Sequence, residues 1–349
     1  MVIYLKSFFK ANLPMKAYRL FVILSFLFFN VIPFAKSAEV DHFLGTPYVL
    51  NDSTDEVNQA FSDLINSFLN KINKSKRAPK LSCHKVTLKI GRHFFNGHES
   101  KISRLMRSHP TIDKFPNIIK GQQTKAEANS FFKKSIYGKR KFWPYNTVHL
   151  APIININGIY IGSDKLGHIV GMGLAYYKRY SVWRKRGYGH SFSLQKALKF
   201  GIFSEFTILG KMASQVFSHA DLEANYQGLL FYQSLCHKSS PHLSLDENGQ
   251  WYIKKEIKIE RFITPYMNEM FNPSTFNRAN RKKVLMSLKE LHCDQTKGTP
   301  LSEEFVRRLQ YYKKRAHKND SLLWIEQQIE KGLLKDNKTN SLLNICKAK

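Results

Sequence analysis

The chain has 349 residues and a formal net charge of +29, from 55 Lys and Arg against 26 Asp and Glu. A surplus of that size implies anionic surroundings: acidic headgroups, lipopolysaccharide or other envelope polymers. The basic runs are too short to be a tail and no nucleic-acid motif accompanies them, so no nucleic-acid partner is expected; four cysteines without a C-x-x-C pair argue against a zinc cluster.

From Met15 the chain reads as a secretory signal: Lys16 and Arg19, the apolar run from Leu20 to Phe34, then Ala35-Lys36-Ser37-Ala38. The run is about 15 residues long, short of the roughly 20 that a membrane span needs. Residues 1–38 are therefore expected to be removed on export, with Met15 as a possible true start and an uncleaved anchor as the alternative. Their loss leaves a charge of about +24. The expected location is the periplasm or the outer-membrane surface. Cys83, Cys236, Cys293 and Cys346 all lie beyond this segment, and an even count in an exported chain predicts two disulfides, with three connectivities open.

The remaining residues read as mainly α with small β elements, in three regions: 39–147 as an N-terminal α+β region, 148–236 as a central helical unit, and 237–349 as a strand followed by basic helices. Val57, Phe61, Leu64, Ile65, Phe68, Leu69 and Ile72 have helical spacing, whereas Val86, Leu88 and Ile90 alternate with Lys85, Thr87 and Lys89 and predict a strand over 83–95. A short helix is expected at 102–108 and another at 123–134, followed by an aromatic patch, Phe142-Trp143-Pro144-Tyr145. Asn157-Gly158 between two isoleucine-rich runs predicts a β-hairpin. Ser163 then offers an N-cap for one helix over 164–180; further helices are expected at 193–216 and, capped by Ser218, at 219–236. A strand over 251–259 and helices near 276–292, 302–315 and 321–334 complete the chain.

One polar constellation lies in these otherwise apolar helices. Asp164, Lys165 and His168 open the first, Glu205 sits in the middle of the second, and Asp221 and Asn225 open the third. Groups four apart share a helix face, so Asp164 stacks under His168 and Asp221 under Asn225. Burying such groups costs free energy unless they pair with one another or serve a ligand. His168 is the candidate general base, oriented by Asp164 or Asp221. Glu205 and Asp221 are a candidate carboxylate pair, and His168, Glu205 and Asp221 a possible metal set. Lys165 and Asn225 are candidate ligand-binding groups, although Lys165, diverging by about 100° from Asp164, reads as a surface cation unless it meets Glu205. Gly171 and Gly173 read as close helix packing. Glu269 and Asn272 form a second small cluster, with capping as the expected role and a place at the rim of the same site as the alternative. His149 and His219 flank the constellation.

The ordered set Asp164-Lys165-x-x-His168, Glu205, then Ser218, Asp221, Asn225 and Gly228 resembles a pattern shared by the YfiM-like lipoproteins and the VanZ-like family, over about residues 158–232. That resemblance implies a helical envelope protein with a shared polar core; it brings no settled reaction and no cofactor. The chain departs from both patterns, because it has no lipidation cysteine and no multi-pass hydrophobic segments. The expected function is an exported envelope protein that binds an anionic envelope component or membrane surface. The alternative is a metal-assisted or His/acid hydrolase or transferase acting on lipid or cell-wall substrates.

Overall fold

The Asn157-Gly158 turn fixes the entry to the polar centre. Both residues have positive φ, 51° and 78°, the left-handed pair that a two-residue hairpin turn requires. Strands Ile153–Ile156 and Ile159–Gly162 pair across it, and Lys114–Phe115 adds a third strand outside Ile153–Ile154. All eight residues of the two hairpin strands are buried. The chain therefore passes from a buried strand directly into a helix at Ser163.

The computed structural model describes residues 38–96, 99–117, 125–138, 149–207, 209–211, 214–294 and 296–347. Residues 1–37 of the expected signal segment and the Phe142–Tyr145 patch lie outside these residues. After a helical turn at His42–Gly45 come α1 (Thr54–Asn73), α2 (Cys83–His93), α3 (Lys101–Ser108) and α4 (Lys125–Lys134). The centre holds α5 (Ser163–Val170), α6 (Met172–Lys185), α7 (His190–Phe206) and α8 (His219–Leu235). Helices α9 (Arg278–His292), α10 (Glu303–Arg315), α11 (Asp320–Glu330) and α12 (Leu342–Lys347) follow. The small sheets have two or three strands each, so the protein is mainly α with small β elements. Among the described residues no helix is long and apolar enough to cross a membrane.

The main core gathers side chains from Val57 on α1 to Tyr312 on α10. Helix α8 runs through it and is buried on nearly every side. Its Phe231 is fully buried and meets Phe61, Phe94 and Phe262 edge-on. Burying one such ring contributes about 2–3 kcal/mol. Helices α5 and α6 cross α8 at two glycines: a Cβ on Gly173 would collide with the Gly228 backbone, and one on Gly228 with the Ile169 carbonyl. Close helix packing is thus the role of Gly173. The cysteines pair as Cys83–Cys236, tying α2 to the end of α8, and Cys293–Cys346, tying α9 to α12. Spacing alone had left that choice open.

Several expected elements differ. Residues 83–93 are a helix and not a strand: Ser82 caps it, accepting from the Lys85 amide, and Val86, Ile90 and Phe94 form one buried stripe at four-residue spacing. Three apolar residues two apart fit either period, and the cap and the stripe decide. The first central helix begins one residue early, with Gly162 in the cap position, and breaks at Gly171. The second ends at Phe206 and not at 216. The backbone then curls back, with the Lys211 amide donating to the Glu205 carbonyl, into a short strand at Val216–Phe217 paired with Thr275–Phe276. Glu205 therefore lies in the last turn and not mid-helix. The strand at Trp251 stops at Ile253.

Candidate functional site

Three segments bring the site together: the first turn of α5, the first two turns of α8, and the irregular stretch after Pro265. Ser218 is the N-cap of α8, its hydroxyl accepting from the Asp221 amide at 3.1 Å. That cap places Asp221 in the first turn, facing α5. Asp164 has the same first-turn place on α5, where the helix dipole favours an acid.

Lys165 is the hub. Its side chain is 1% exposed, and its Nζ lies 2.6 Å from Asp221 Oδ1, 3.0 Å from Asp164 Oδ2 and 3.1 Å from Glu269 Oε1. Burial alone would drive the proton off this amine, but the three carboxylates outweigh burial and hold its pKa well above the usual lysine value. The expectation of a surface cation, or of a partner in Glu205, is corrected. Helix α5 is eight residues long and buried around most of its circumference, so the direction that diverges from Asp164 also meets protein.

His168 sits at the outer edge of this cluster, its side chain 19% exposed. Its Nδ1 lies 3.0 Å from Asn225 Oδ1 and its Nε2 lies 3.3 Å from Asp221 Oδ2. An amide oxygen can only accept, so Nδ1 carries a hydrogen; Nε2 then meets Asp221 with a lone pair when the ring is neutral and with a second hydrogen when it is charged. Asp164, one of two expected orienters of the ring, is held by Lys165; Asp221 and Asn225 do the orienting. Burial pushes the Asp221 carboxyl up, but a protonated His168 ring, the Lys165 ammonium and the hydrogen bonds from Lys165 and Ser218 hold it below its ordinary value.

Glu205 is buried one layer behind. Its Oε2 is 3.5 Å from the Ser218 amide, and burial together with the neighbouring Asp221 charge raises its pKa well above the ordinary value. It neighbours Asp221 but is not one of the groups whose ligand atoms cluster. Those are Asp164, His168 and Asp221, whose atoms all lie within 4.8 Å of one another. Glu269 is not a helix cap: besides Lys165 it accepts from the Ser218 hydroxyl at 3.2 Å, and burial raises its pKa despite the lysine. Its signal in the sequence is a single acid in the apolar stretch from Phe262 to Phe271. Asn272 stays outside the cluster, bonded to Tyr266 and Asn337. His42, which no spacing pointed to, is buried behind Glu269 and accepts from its backbone amide at 3.3 Å. His219 packs against Phe217, away from the cluster.

A second feature lies on the surface where α6 meets α7. Val182, Tyr188 and Phe192 are exposed; the Tyr188 and Phe192 rings stack at 4.4 Å, and Trp183 meets Tyr188 edge-on at 5.1 Å. Arg184, Lys185 and Arg186 are exposed beside them, and the Lys196 amine lies 4.9 Å from the Phe192 ring centre.

Comparison of the chain with models of known families, with curated proteins and with solved structures gives no match.

Proposed function

We propose that the protein is an exported envelope protein that binds an anionic envelope component and carries a hydrolase or transferase centre at His168. The observation that supports a reaction centre is the orientation of His168. One ring nitrogen is fixed by a fully buried amide and the other faces a carboxylate at the edge of the protein. A ring needed only for packing requires no such pair of partners. The hub points the same way. One buried ammonium against three carboxylates is a costly way to join helices, since apolar residues of similar volume do so at least as well.

Export is supported by the basic, apolar and small-residue order of residues 15–38 and by two disulfides, which persist in oxidising compartments. The anionic partner is supported by the net charge and by the corner of stacked aromatic rings and cations between α6 and α7, the chemistry of a surface that lies against acidic headgroups. The motif order shared with YfiM-like and VanZ-like proteins is consistent with an envelope role.

The test is incubation of the purified protein with vesicles of anionic phospholipid and with isolated cell-wall polymer, followed by mass spectrometry of the products. New product from the wild type and none from His168→Ala or Asp221→Asn is the expected result. Equal product, or none from any of them while all three bind the vesicles, leaves a binding protein without a reaction.

A further inference from the structure

The contact between His168 and Asp221 contains a contradiction that a cation resolves. With Nδ1 donating to Asn225, the Nε2 of a neutral ring presents a lone pair, and 3.3 Å away Asp221 Oδ2 presents another. Two acceptors do not face each other at that distance without something positive between them. Lys165 is not that group, because its amine is engaged with Asp221 Oδ1, Asp164 Oδ2 and Glu269 Oε1. The remaining choices are a proton on Nε2 or a metal ion.

Geometry and charge favour the metal. Two ligand atoms each about 2.1 Å from one ion, at tetrahedral or octahedral angles, stand roughly 3.0–3.4 Å apart, and His168 Nε2 and Asp221 Oδ2 already have that spacing. Asp164 adds a third ligand atom within 4.8 Å of both. Its Oδ1 is buried and accepts no hydrogen bond among the described residues, so it has bonding capacity to give. Asn225 supplies the outer hydrogen bond that metal-binding histidines use to fix tautomer and ring plane. Counted as ionised, three carboxylates against one ammonium leave two negative charges, which one divalent ion cancels.

We propose that Asp164, His168 and Asp221 bind one divalent metal ion, with zinc or manganese suited to one imidazole and two carboxylates. Lys165 then acts as a fixed internal cation that keeps the two aspartates in place, and Glu205 is excluded from the ligand set. The inference stands on the geometry of the centre and does not require that the protein be an enzyme. Metal binding without product formation keeps it and removes the reaction; product formation by a wild type that binds no metal keeps the reaction and removes the metal site.

The test is calorimetric titration of chelator-treated full-length protein with zinc chloride and, separately, manganese chloride. The expected result is one strong site per chain for at least one metal. That site should weaken by 100-fold or more in Asp221→Asn and in His168→Gln, and by about 10–100-fold in Asn225→Ala. If Asp221→Asn does not fold, His168→Gln, altered at a partly exposed position, carries the comparison. Less than half an equivalent of either metal bound by the wild type overturns the proposal. So does affinity unchanged in His168→Gln, which places the metal on other histidines and leaves a proton between His168 and Asp221.

Discussion

Asn225 holds His168 by its Nδ1 at 3.0 Å from the same helix that presents Asp221 to the other ring nitrogen. Helix α8 thus grips one imidazole from both sides, through residues four apart. This relationship separates the roles in the cluster: Lys165 fixes the three carboxylates around it, and His168 is held out at the edge.

That division gives a first expectation for Lys165→Met. The substitution keeps most of the volume and leaves Asp164, Asp221 and Glu269 buried without their cation. Removing one partner of a buried ion cluster costs about 3–5 kcal/mol. Urea unfolding should show a loss of that size, and a loss under 1 kcal/mol would mean that the carboxylates are far better solvated than their burial implies.

The crossing of α5 and α6 over α8 depends on backbone contact. Gly228→Ala places a methyl group against the Ile169 carbonyl, and Gly173→Ala places one against Gly228. Each should cost about 1–3 kcal/mol by overpacking, outweighing the gain that alanine normally brings to a helix. Thermal denaturation of the two single variants checks this, and an unchanged or raised melting temperature would contradict it.

His292 couples stability to acid. Burial holds its imidazole down to about 4, against an ordinary value of 6.5. The unfolded chain takes up this proton near pH 6.5 and the folded chain only near 4, so the unfolded state binds more protons between those values. The stability associated with the neutral ring is full above pH 6.5 and is lost as pH falls toward 4, by about 3 kcal/mol in all. The ring packs against Phe43, so His292→Phe keeps an apolar contact and should flatten the pH dependence by that amount. Urea midpoints from pH 7 to 4 measure it; parallel curves for the two proteins would contradict it.

The corner between α6 and α7 makes a separate prediction about partners. Replacing Arg184, Lys185 and Arg186 together with alanine should weaken sedimentation with vesicles of acidic phospholipid by about 100-fold at low salt, at about 1 kcal/mol per cation. Raising the salt should weaken the wild type in the same way. Binding that ignores both changes would locate the contact elsewhere.

How much of this was legible before the structure varies by residue. The hairpin at Asn157-Gly158 and the cap at Ser218 rest on local backbone chemistry, and both stand where the residue types place them. The meeting of Asp164, His168, Asp221 and Asn225 follows from two helices opening toward each other, which the four-residue spacing suggested. Lys165 was misjudged because diverging from Asp164 was equated with facing solvent, which fails on a short helix enclosed by protein. Glu269 stood out as a single acid in an apolar stretch, and its alternative place beside the site is the one it takes; His42 arrives from a segment without periodicity, so no pattern could bring it there. The alternation over 85–90 misled because a few residues fit both periods, and the cap at Ser82 and the buried stripe of Val86, Ile90 and Phe94 separate them.

The central claim is that His168 serves chemistry and not the fold. Its most direct test is the melting temperature of His168→Ala beside the wild type, both free of metal. The expected difference is no more than about 1–2 °C, equivalent to about 1 kcal/mol in a chain of more than 300 residues, because Lys165 keeps its three carboxylates when the ring is gone. A fall of about 10 °C or more, or a variant that does not fold, would show that the imidazole holds the helices together and would contradict the claim.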